Sequence, residues 1–423
     1  MLGIHFVRGG GRIDTLGEVK LMRACSRWFL SVVAGLVLVM GFIVPTAQAD
    51  PGDATAPPVR ASIQNYWQAR SNFARSNFAR SNFGALREET ASTFGLADAP
   101  ADAAVQRAID GANLLCAATG FDAYVDQLLA GLRPEELAFL LDSGALEFPA
   151  MEALVFGSGA ETDFTDPGQS KALTKTFRDL QKFWSTSSPD IDLVALHGDM
   201  LRDPERISRL LVVLYGFSQA DADGYAKLVA AVMTEVPAFA DGDSALFTLN
   251  AFSFSGKGDP DPFIAGLPAK IVIGDGFLGA LSAMGLEDAG ARVVLAHEYA
   301  HQIQTEFNLF DSPLTGPEAT RRAELMADAY AGYFAVHPRG LSLNAKRVVD
   351  VQQTFYDLGD CSFDDLGHHG TPDQGRRASE WAADLAAEAR PKGHILAADT
   401  FATLFDAQLP AIVSPDAVTT AGG

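Results

Sequence analysis

The chain is poor in cysteine, with three in 423 residues, and poor in basic residues, with 32 Lys and Arg against 53 Asp and Glu. The first scarcity excludes a disulfide scaffold and a Cys-rich zinc site. The second leaves a net charge of −21. That balance argues against nucleic acid or an anionic membrane surface as the main partner. The apolar run at residues 29–44 falls short of the about 20 residues that a membrane helix wants. What is present is globular composition, 48% apolar and 20% charged, in a chain too long for one ordinary domain.

Arg23 and Arg27 precede that apolar run, and Pro45 and Ala47-Gln48-Ala49 close it with a small-x-small cleavage pattern. Residues 1–49 therefore read as a secretory signal peptide starting at Met1 or Met22, with an uncleaved membrane anchor as the alternative. The expected location is the periplasm, the cell envelope or the medium. Losing this segment takes the charge from −21 to −24 and removes Cys25. Cys116 and Cys361 remain, either paired in an oxidising compartment or, for Cys116, buried in a helix.

Residues 50–100 read as a disordered linker, rich in Pro, Ala and Gly at first and then carrying three copies of Ala-Arg-Ser-Asn-Phe from Ala69 to Phe83. A period of five matches neither helix nor strand, so the three Phe share no face. Arg60, Arg70, Arg75, Arg80 and Arg87 make this a basic patch on an acidic protein. It suits contact with an anionic wall polymer, with lipid headgroups or with the protein's own acidic surface. The plainer reading is a repeat expansion in a tolerant linker. Residues 101–260 read as helical, with apolar spacings of three and four over 122–132, 134–141, 171–184, 205–215 and 218–236. Pro134 suits a first turn and Ser218 an N-cap. His197, in this region, reads as a packing or loop residue.

The turn-rich stretch from Gly256 to Pro262 marks a boundary. Beyond it, residues 261–410 hold six of the eight histidines, and residues 411–423 read as a flexible tail. The helix expected at 287–309 contains His297-Glu298-Tyr299-Ala300-His301. Residues four apart share a helix face, so His297 and His301 can hold one zinc, with Glu298 beside them to meet a water. A catalytic zinc needs a third protein ligand. Glu324 supplies it, and Asp328, one turn on, accepts the other ring N–H of a zinc-bound histidine. Two acids in the otherwise apolar Ala323-Glu324-Leu325-Met326-Ala327-Asp328-Ala329 are costly to bury unless something offsets their charge. His368 and His369 stand in a later loop, where they either stabilise an oxyanion or only shape the loop.

Three motifs in this order, His-Glu-x-x-His at 297–301, Glu-Leu-x-Ala-Asp-x-x-Ala-Gly at 324–332 and His-Gly-Thr-x-x-Gln at 369–374, resemble the bacterial neutral zinc metallopeptidases of gluzincin type. The resemblance covers roughly residues 265–390. It implies a mainly α fold with a small β element and a zincin-like domain, in which residues 271–274 form the edge strand that pairs with substrate. By position it implies His297, His301 and Glu324 as zinc ligands, Glu298 as general base, Asp328 as partner of a ligand and His369 as a catalytic histidine. The sequence departs from the family at Ala300, where Gly is usual, at Gln302, where His is usual, and at Gly375, which separates Gln374 from Arg376. The implied activity is zinc-dependent hydrolysis of a peptide or protein substrate. The rivals are an exported binding protein on a peptidase scaffold and a zinc hydrolase of another bond.

Overall fold

The computed structural model describes residues 2–3, 61–73, 87, 90, 100–110, 117–184, 190–363, 365, 367–388 and 393–414. The proposed leader and most of the repeat lie outside them, apart from Leu2–Gly3 and Ala69–Phe73. Among the described residues no helix is long and apolar enough to cross a membrane.

The fold is mainly helical around one small sheet. Its strands are β1 (Leu2–Gly3), β2 (Ile191–Leu196), β3 (Ala251–Phe254) and β4 (Ala269–Gly274), in the spatial order β1-β3-β4-β2. β2 runs parallel to β4 and β3 antiparallel to it. The sheet is buried on both faces, and the strand alternation sorts its residues between two cores. Val194, Leu196, Phe252, Phe254 and Val272 point into a core built with the helices of the N-terminal half. Leu193, Ala195, Ala251, Ile271 and Ile273 point into a core built with the helices that follow the sheet.

The first layer contains α1 (Ala61–Phe73), α2 (Pro100–Asp110), α3 (Gly120–Leu129), α4 (Pro134–Ser143), α5 (Phe148–Phe156), and, beyond β2, α7 (Pro204–Tyr215) and α8 (Gln219–Glu235). Pro134 opens α4, and the Ser218 hydroxyl caps α8 by accepting from Asp221 N. α6 (Pro167–Trp184) lies on the other face. There it joins α11 (Ala289–Glu306), α12 (Pro317–Val336), α13 (Ala345–Asp357), α14 (Pro372–Glu388) and α15 (Ala398–Ile412). Between these sets come the single turn α9 (Pro262–Ala265) and α10 (Asp275–Ala283).

Four sequence expectations change. The stretch 50–100 is not linker throughout: α1 buries Ile63 and Tyr66, the Tyr66 hydroxyl reaches Asp142, and Arg87 pairs with Glu147. Burial of Ile63 and Tyr66 and the partly buried Arg87–Glu147 pair, all outside the repeat copies, tie these residues to the fold. The boundary near 260 does not part the sheet, because β2 and β3 come from one side of it and β4 from the other. Residues 271–274 are interior rather than edge, since β2 and β3 flank them on both sides. The tail begins later than 411, because α15 runs to the buried Ile412.

Lys270, on β4, is 1% exposed. Its ammonium donates to Leu154 O at 2.6 Å, Gly157 O at 2.7 Å and Ala153 O at 3.3 Å. It thus closes the C-terminal end of α5, where unpaired carbonyls and the helix dipole favour a cation. Lys270→Met leaves those carbonyls without their donor. The expected loss is about 2–4 kcal/mol of stability, read as a lower urea midpoint with unchanged slope.

Candidate metal centre

The centre is built by three neighbouring segments: α11, α12 and the loop before α14. Helical register puts His297, Glu298 and His301 on α11 where it faces Glu324 and Asp328 on α12. All are buried, His297, Glu298, His301 and Glu324 at 0% exposure. His297 Nε2 lies 3.1 Å from Glu324 Oε2 and 3.1 Å from His301 Nε2, and His301 Nε2 lies 3.4 Å from Glu324 Oε2. Three donors about 2.0–2.1 Å from one tetrahedral ion stand roughly 3.3 Å apart, so the triangle has the size of one face of a zinc shell.

The outer nitrogens say which way the lone pairs face. His297 Nδ1 lies 2.7 Å from Asp328 Oδ1, and His301 Nδ1 lies 2.7 Å from Gln304 Oε1. Both acceptors want a proton on Nδ1, which leaves both Nε2 lone pairs aimed at the Glu324 carboxylate. Three lone pairs meeting at these distances repel unless a positive charge sits among them. The Glu324 Oε1 and both Glu298 oxygens make no hydrogen bond. The donor set therefore fits a small divalent cation, and two nitrogens with one carboxylate are a set that zinc accepts.

The ionisation pattern states the same demand for positive charge. Burial opposes the His297 imidazolium, but Asp328 and Glu324 push its pKa up to about 10. Burial also opposes the Glu324 carboxylate, yet the rings of His369, His301 and His297 hold it well below its usual range. Burial raises Asp328 to about 6 against the opposing pull of His297. Glu298 is raised to about 7, by burial first, with the two imidazoles on its own helix opposing. A cation would have to displace protons held here, so its affinity falls with falling pH.

The third motif is a helix start. Thr371 N donates to Gln374 Oε1, and Gln374 N donates to the Thr371 hydroxyl, a reciprocal capping box with Pro372 in the first turn of α14. Gly370, at φ +105°, makes the turn before it. This delivers His369, whose Nδ1 lies 3.3 Å from Glu324 Oε2 and whose ring stacks on His297 at 15°. His297, Glu324 and His369 each offer a ligand atom within 4.8 Å of the others. The sequence-predicted residues His297, Glu298, His301, Glu324, Asp328 and His369 thus all gather at one place. His368 turns away and pairs with Asp360.

Sequence reasoning missed three residues here. Asp360 binds His368 Nδ1 through one oxygen and accepts from His369 N through the other, fixing the loop. It precedes Cys361, which is disulfide-bonded, while Cys116 lies outside the described residues. Gln304 is the partner of His301; its only sequence signal is its place three residues on, one turn along the same face. Gln302 anchors α11 to the sheet, donating to Ser253 Oγ at 2.6 Å and Phe254 O at 2.9 Å. The glycine at 375 is also accounted for: a Cβ there would stand 2.7 Å from Phe355 O and 3.1 Å from Asp328 Oδ2. Arg376 pairs with Asp373 and Glu380 on its own helix.

Asp328→Asn tests the tautomer argument. An amide can turn its NH2 toward His297 Nδ1, which favours the wrong tautomer. Zinc affinity measured against a chromophoric chelator is expected to fall about 10–100-fold. No family model matches this chain, and no curated protein or solved structure does either.

Proposed function

We propose that this chain is a zinc-dependent peptidase of gluzincin type, with His297, His301 and Glu324 holding the metal. One observation carries the reading: Glu298, wholly buried and with neither carboxyl oxygen hydrogen-bonded, sits beside a ring of inward-facing donors. A metal site with a structural task alone has no use for such a group, and leaving it unpaired is costly. When bound, zinc supplies a Lewis acid that polarises a carbonyl and brings the pKa of water toward 7.

The chain's own residues do the rest. Glu298, with its pKa near 7, takes a proton from the attacking water at its carboxylate and passes it to the leaving amine. Asp328 and Gln304 keep the two imidazoles in the ligating tautomer. His369, packed on Glu324 and His297, would donate to the oxyanion. A peptide substrate is favoured by β3, the strand antiparallel to β4 that Gln302 ties to α11. The outer side of β3 pairs with an extended backbone, that of Leu2–Gly3. A strand of substrate would take the place of Leu2–Gly3 on the same groups.

Zinc content and hydrolysis of an unstructured protein, such as casein, test this. About one zinc per chain and cleavage abolished by a chelator are expected. A zinc-loaded protein that cleaves no unstructured substrate would leave one of the two rivals.

A further inference from the structure

The two metal-facing histidines are held by different chemistry. Behind His297 is a carboxylate, Asp328, on another helix. Behind His301 is a neutral amide, Gln304, on the same helix. Gln304 is 1% exposed, and both ends of its amide are engaged. Its Nε2 donates to Ala323 O at 2.8 Å. That contact fixes the amide's orientation, because only a donor satisfies a carbonyl. The oxygen is therefore the end facing His301, and the proton between them belongs to His301 Nδ1. Ala323 is the residue immediately before Glu324. One side chain thus bridges the helix that carries two ligands and the helix that carries the third.

We infer that Gln304 is the positioning residue of this centre: its amide oxygen sets the tautomer of His301, and its amide nitrogen holds the backbone that carries Glu324. The inference rests on the zinc reading above. An amide here also limits the negative charge. The centre already contains Glu298, Glu324 and Asp328, and Gln304 supplies an acceptor without adding a fourth carboxylate. Its neighbour Gln302 has a different task, since its donors go to the sheet. The two glutamines therefore separate cleanly in a mutational test.

Zinc affinity of the full-length protein, by competition with a chromophoric chelator, is the readout. It is taken well below the metal-free melting temperature of each variant. Gln304→Leu removes both contacts, and Gln304→Asn keeps an amide that is too short to reach His301. Each is expected to bind zinc about 10–100-fold more weakly. Gln304→Glu keeps an acceptor at His301 Nδ1 but loses the donor to Ala323 O, and is expected to fall between wild type and Leu. A purely packing role would lower the metal-free melting temperature while leaving zinc affinity unchanged. Leu and Asn variants within twofold of wild type, or a Glu variant as weak as Leu, overturn the inference. A wild-type protein that takes up no zinc overturns the zinc reading itself, and is told apart because no variant comparison is then needed.

Discussion

Glu298→Gln is expected to keep its zinc and lose its hydrolysis. Glutamine matches the shape of glutamate but cannot accept a proton at neutral pH, so the attacking water and the leaving amine lose their proton carrier. General acid–base catalysis by one positioned group contributes about 10²–10⁴-fold. The fall in kcat/KM is expected in that range, with zinc content at wild-type level. Retained activity would remove Glu298 from the mechanism. A second effect, on stability, runs the other way. Burial raises the Glu298 pKa from about 4.5 to about 7, so the folded metal-free protein holds this proton to higher pH than the unfolded chain does. The stability tied to that proton is intact below pH 4.5, declines between 4.5 and 7, and is gone above 7. The loss is roughly 3 kcal/mol. Glutamine has no such proton to lose. Metal-free Glu298→Gln is therefore expected to match wild type near pH 4 and exceed it near pH 8 in denaturant midpoint. Parallel pH profiles would show that the carboxylate is better solvated than its burial implies.

Glu324→Gln is expected to cost the metal. The substitution keeps the volume of the side chain but replaces an anionic donor with a neutral one. Structural zinc binding totals about 10–16 kcal/mol over four ligands. One ligand is thus worth on the order of 3 kcal/mol, and affinity should fall by about a hundredfold or more. Hydrolysis should fall with it and return in part at high zinc concentration. That recovery distinguishes Glu324→Gln from Glu298→Gln, which added zinc does not rescue. Equal zinc affinity in Glu324→Gln and wild type would assign the third position to His369, whose Nδ1 stands 3.3 Å from Glu324 Oε2.

The centre was largely legible because its chemistry is written in helical spacing. His297 and His301, and then Glu324 and Asp328, are each one turn apart, and one turn is a local property. His369 was legible as a residue type near a turn, though its contact with Glu324 depends on α14 packing against α12. Gln304 and Asp360 were not legible, because glutamine and aspartate are common on exposed helices and in loops, and only the folded contacts distinguish them. The sheet was the least legible part. Ile191–Leu196 is buried on both faces, so it lacks the alternation that reveals a half-exposed strand and blends into the helical region around it. The edge position of residues 271–274 was implied by the resemblance alone, and β2, unread in the sequence, is what overturns it.

That topology sets an order of events during synthesis. Among the described residues β2 pairs only with β4, and the ribosome makes β4 later. Until residue 274 has emerged, β2 lacks the partner it has in the fold, and unpaired strand edges invite association with other chains. The candidate metal ligands come later still. The nascent chain must therefore be kept from sticking to its neighbours while residues 197–274 are made, and the sheet closes shortly before the first histidine of the centre is made.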